Sequence, residues 1–95
     1  MRLTILRDPP SPEVDPAALA LSALGWILAD DDRASRFLDL TGLTPDDLRT
    51  RLGEPGVLGA AVEFLLAHEP DLLAAADALG VAPTVLADLP RRLAA

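Results

Sequence analysis

The chain has 95 residues and carries fifteen Asp plus Glu against eight Arg, with no Lys, no Cys and one His, for a net charge of −7. That length suits one domain, which buries roughly two-thirds of the surface of its unfolded chain. The missing Cys excludes disulfides and thiolate chemistry, the lone His68 excludes a two-histidine metal site within one chain, and the acidic balance opposes phosphate. We expect no metal and no cofactor.

Residues 1–15, "MRLTILRDPPSPEVD", read as a Pro-rich tail, because Pro9, Pro10 and Pro12 forbid a helix. Leu3, Ile5 and Leu6 can form a short extended piece that packs on the domain; the rest is expected to be poorly ordered. Residues 16–95 read as a single helical domain. Asp15 caps a first helix and Pro16 suits its first position. This helix, to about residue 30, is apolar almost all round, through Leu19, Leu21, Leu24, Trp26, Ile27 and Leu28. A helix without a polar face is central in its domain or buried in an oligomer. The thirteen residues 17–29, broken by Ser22 and Gly25, fall short of the span of about 20 that a bilayer needs. With no charged-then-apolar leader, the expectation is a soluble cytoplasmic protein that meets no membrane.

One of Asp30 to Asp32 caps a second helix that ends at Gly42, a left-handed stop. In "TPDDL", Thr44 is the cap, Pro45 the first residue and Asp47 the acidic member of a capping box. This third helix stops near Gly53. Pro55 opens a fourth, to about His68, which carries Val57, Leu58, Val62, Phe64, Leu65 and Leu66. Pro70 opens a fifth that Gly80 stops, and Pro83 opens the last, with Pro90 near its end. No alternation of strand type follows residue 16. The fold class is therefore all-α: a compact bundle of five to six short helices.

A shift of 38 residues lays the chain partly on itself. "ALGWILADD" falls on "AVEFLLAHE", so that Trp26 meets Phe64, and "GLTPDDL" falls on "GVAPTVL". An Ala- and Leu-rich chain matches itself easily by chance. The coincident Gly and Pro mark the same turn chemistry and suggest two three-helix units with helix-turn-helix-like geometry. Trp26 and Phe64 would then hold equivalent core positions about a pseudo-twofold.

In "AAADALGVAPTVLADL", Ala76 is the small residue at a helix crossing, Gly80 makes the turn, and Val81, Leu86 and Leu89 take the buried positions of such a motif. The chemistry of readout is missing. Thr84, Val85, Ala87 and Asp88 are poor base readers, Asp46 and Asp47 lead the corresponding helix of the other copy, and only Arg91 and Arg92 can reach a backbone phosphate. Nucleic acid is thus an unfavoured partner. The alternative function, a nucleic-acid-associated transcriptional regulator built on the Gly80 turn, would use Thr84, Arg91 and Arg92.

Other chemistry is thin. Asp30 to Asp32 lack the loop spacing of a calcium site and read as cap and solvated surface. His68, placed at the end of the fourth helix, gains from its negative end but meets no nucleophile motif. Glu63 reads as the solvent edge of its helix, a buried carboxylate being the alternative. "GEPGVLGAA" lacks the Lys and spacing of a phosphate loop. We expect no enzyme, but an acidic protein–protein interaction module that forms a homodimer, with candidate interface residues Leu21, Trp26, Leu28, Leu58 and Phe64.

Over residues 17–93, "ALALSALGWILADDDRASRFLDLTGL", "TPDDLR" and "EPGVLGAAVEFLLAHEPDLLAAADALGVAP" resemble domain-of-unknown-function family 3572, small helical proteins of alphaproteobacteria. The resemblance implies a small cytoplasmic bacterial protein and brings no activity, cofactor or partner with it.

Overall fold

The computed structural model describes residues 15–94; the expectations for the Pro-rich tail lie outside that range. Seven helical segments follow one another: α1 (Pro16–Leu28), α2 (Asp31–Thr41), α3 (Pro45–Arg51), α4 (Pro55–Leu66), α5 (Glu69–Leu79), α6 (Pro83–Ala87) and α7 (Leu89–Ala94). The fold is all-α, and no strand occurs among the described residues.

The starts are set by capping chemistry. Asp15 accepts from the Ala17 N–H at 3.2 Å and Asp30 from the Arg33 N–H at 2.9 Å. Thr44 and Asp47 close a reciprocal box at 3.0 Å each way. Two of the stops are left-handed glycines, Gly42 at φ 75° and Gly80 at φ 72°. After α5 the Val81 N–H reaches back to the Ala76 carbonyl at 3.0 Å and the Gly80 N–H to Asp77 at 3.2 Å, the double closure of a Schellman turn. After α2 the Gly42 N–H closes on Leu38 at 2.9 Å.

Two expectations shift. The fourth helix ends at Leu66 rather than His68, so His68 stands at the start of α5, one residue ahead of Glu69. The proline explains it: Pro70 needs no backbone donor in a first turn, and drawing Glu69 into that turn leaves His68 as the flanking residue. The last helix is broken at Asp88 into α6 and α7. Pro90 cannot donate to the Leu86 carbonyl and disfavours helical geometry at Leu89, so the helix cannot run through.

The core is Leu and Ala around two rings. α1 and α4 make the most extensive pair; α2 and α5 each touch both, α6 packs on α4 and α5, and α7 on α1 and α4. Ala20, Ala23, Ala61, Ala75 and Ala76 are buried, as close helix crossings require. Phe37 and Phe64 meet edge to face with ring centroids 5.4 Å apart. The absent polar face of α1 is accounted for by its central position, with Leu21, Ser22 and Gly25 left at the surface.

The duplication is visible in the structure. Shifted by 38 residues, α2 coincides with α5 at both ends and α1 with α4 at its last residue; α3 and α6 start in register, as do the left-handed glycines. Burial repeats too: Ala23 with Ala61, Leu24 with Val62, Ile27 with Leu65 and Leu48 with Leu86. Trp26 and Phe64 hold equivalent helix positions but not equivalent burial. Phe64 is in the core, whereas Trp26 is half-buried under the guanidinium of Arg33, 3.6 Å from its ring.

Candidate docking surface

The helix-turn-helix-like segment has the geometry its sequence predicts. The chain bends by 114° between α5 and the α6–α7 segment, inside the range of such motifs. Ala76, Leu86 and Leu89 are fully buried and Val81 is half-buried. The outer face is poor in free cations. Arg91 is held by Asp88 through three contacts of 2.6 to 3.0 Å. Thr84 and Ala87 are exposed and Arg92 is half-buried. A phosphate would have to displace a fork-like Arg–carboxylate pair that is already satisfied.

The five candidate interface residues do not share one surface. Leu58 and Phe64 fill the core at 4% and 7% exposure, with the edge of Phe64 reaching one of the depressions described below. Trp26 and Leu28 are half-buried, and only Leu21 is exposed. The reason is that α4 is apolar nearly all round, so its apolar count does not distinguish residues in the core from residues at the surface.

A different surface carries the apolar exposure. The outward face of α4 runs through Gly56, Gly59, Ala60, Glu63 and Ala67. It floors two shallow depressions that meet at Glu63. One, of about 320 Å³, is walled by Leu40 and Thr41 at the end of α2 and includes the edge of Phe64. The other, of about 300 Å³, is walled by Pro55 and by Pro90, Leu93 and Ala94 of α7. Leu40 is 72% exposed, the most exposed of the large apolar side chains described. Polarity in the groove is slight. Thr41 spends its hydroxyl on the Phe37 carbonyl at 2.8 Å, and Glu63 is exposed, as a solvent-edge residue should be. The sequence signal for this groove was present but unread: small residues stand three and four before Glu63 and four after it, on one face of a helix.

Beside the groove, Asp71 ties the two halves together. Arg36 of α2 donates to its Oδ2 at 2.7 Å, and His68 Nδ1 lies 3.1 Å from the same oxygen. Arg36 also stands 5.2 Å from the Phe64 ring. The Asp30–Asp32 run serves as cap and first turn of α2. Donation from the Thr44 backbone N–H holds the Asp47 carboxyl below its usual range, and the hydrogen bond to Glu54 raises the Arg51 guanidinium. No group of three or more metal-ligating side chains occurs among the described residues.

These features define a class: a small all-α domain whose helices repeat at a 38-residue shift and which carries an apolar groove. Residues 13–95 match the family profile described as protein of unknown function DUF3572, and the chain belongs to that family. No curated protein and no solved structure matches the chain.

Proposed function

We propose that the protein is a non-enzymatic protein–protein interaction module whose docking surface is the groove along α4. The observation that carries the reading is the apolar lining, from Leu40 across Ala60 to Leu93, broken by the solvent-exposed carboxylate of Glu63 and by Thr41, whose hydroxyl donates to the Phe37 carbonyl. Helical grooves of this kind take an apolar segment of a partner through side chains that fill successive depressions. The first partner to test is a second copy of this chain. Size exclusion with light scattering at tens of micromolar should give a dimer, and Ala60→Arg, which raises a long charged side chain from the groove floor, should return it to monomer. A wild-type chain that stays monomeric throughout sinks the homodimer.

The 114° bend at Gly80 favours a second reading, a regulator that contacts nucleic acid through Thr84, Arg91 and Arg92. The Arg91–Asp88 pair and the net charge of −7 weigh against it. A gel shift with mixed duplex DNA at about 20 mM salt, where attraction to phosphate is least screened, decides it. Absence of any shift removes this reading.

A further inference from the structure

We propose that a second copy seats on the α4 groove in one register, set by a reciprocal ion pair: Glu63 of each chain against Arg36 of the other. This inference rests on the groove being a dimer contact and adds which residues align the two copies.

The charge of the body calls for such a pair. Two chains of net charge −7 repel, so a contact between them needs opposite charges brought together locally. Most of the cations are already spent. Arg49, Arg51 and Arg91 each pair with an acid three residues away, and Arg33 lies over Trp26. Arg36 differs. It donates once, across to Asp71 of α5, and 44% of its side chain stays exposed. A guanidinium carries five donors, so the others are left for a second acceptor.

The geometry brings this cation to the groove. Arg36 and Leu40 stand one turn apart on one face of α2. Leu40 walls the first depression, and Arg36 stands 5.2 Å from the Phe64 ring, whose edge also lines it. Glu63 lines the same depression from α4, is exposed, and meets no cation among the described residues. A base and an acid thus stand at one apolar depression, and that arrangement complements itself. In a twofold contact, residue i of one chain meets residue j of the other, and j meets i. An axis between Glu63 and Arg36 makes two ion pairs at once. It passes near Phe64 and turns each Leu40, 72% exposed in the single chain, toward the partner's depression of about 320 Å³. A register centred on Glu63 would instead set two carboxylates face to face.

Glu63→Arg and Arg36→Glu test the pairing as a charge swap. Each variant alone sets like charges together twice, and its dimer should dissociate roughly tenfold more readily than wild type in light scattering over a dilution series. Mixed one to one, the two variants should form a heterodimer in which both pairs are again opposite in sign. Native mass spectrometry distinguishes that species from either homodimer by mass. Arg36→Glu also breaks the bridge to Asp71. Should circular dichroism show it poorly folded, Arg36→Gln takes its place and should still draw Glu63→Arg into a heterodimer. A wild-type dimer unmoved by Glu63→Arg overturns the pairing and leaves the homodimer standing. A mixture in which both variants stay monomeric does the same. A wild-type chain that is monomeric throughout removes the homodimer and this register with it.

Discussion

The two left-handed glycines make a paired test of the duplication. Gly42 and Gly80 sit at φ 75° and 72°, and a β-carbon at either would meet no atom within 4 Å. Substitution by Ala therefore adds no clash, and what remains is backbone strain. A left-handed L-residue costs roughly 1–2 kcal/mol. Replacing Gly also narrows the unfolded ensemble, which offsets about 0.4–1 kcal/mol of it. Each variant should lose about 1 kcal/mol, which lowers Tm by about 4–8 °C in a domain of this size. Gly25 is the control: exposed, inside α1, and equally free of contacts. There Ala should stabilise by about 0.5–1 kcal/mol, since the helical conformation suits it. The assay is thermal or urea unfolding of the three full-length variants beside wild type. Gly42→Ala and Gly80→Ala that differ from one another by more than 1 kcal/mol, or either as stable as wild type, would refute the claim that one turn chemistry was copied twice.

Further outcomes follow from the same contacts. Phe37→Ala removes a fully buried ring and its edge-to-face partner, and should cost about 3–5 kcal/mol, enough to leave much of this small domain unfolded by circular dichroism. Thr44→Ala opens the capping box and should cost about 1 kcal/mol in urea unfolding. The box also sets a pH dependence. The carboxyl of Asp47 titrates lower in the folded chain than its ordinary 3.8, so its contribution is complete above that pH and is lost as pH falls through the folded value; Asp47→Asn should flatten the acid limb of the stability profile there. Arg33→Ala uncovers one face of Trp26, the only Trp, and should shift its fluorescence to longer wavelength with little loss of stability.

How much of this was legible before the structure depends on which physics encoded it. Caps and stops are local. Asp15, Asp30, Thr44 and Gly80 act on backbone groups within a few residues of themselves, so their roles were readable from sequence alone. The small Ala76 and the buried Leu86 and Leu89 were readable for the same reason, since the turn fixes what must pack behind it. Leu58 and Phe64, read for an interface and found largely in the core, mark the limit. Both α1 and α4 are apolar nearly all round, so neither has a periodicity that separates the face against the core from the face toward a partner. The groove escaped notice because an exposed stripe of Gly and Ala has almost no hydrophobic signature of its own; its apolar character comes from Leu40 and Leu93 on other helices.

The duplication explains why the two halves do not present equal surfaces. The partners of Gly59, Ala60 and Glu63 under the 38-residue shift are Leu21, Ser22 and Gly25 of α1, all at the surface. On α4 the stripe is small residues around one carboxylate; on α1 the large side chain, Leu21, has no carboxylate beside it. The flanking rings differ in the same sense. Phe64 is closed off by Phe37 and by Arg36, which Asp71 of the other half holds in place, whereas Trp26 is covered by Arg33 of its own half. Core positions, where volume is shared between the two halves, keep the repeat; exposed positions, which bear no packing constraint, are free to differ. The face with a shallow floor and a single charge is the one with room to seat a segment, which is why the proposed docking surface lies on α4 rather than on α1.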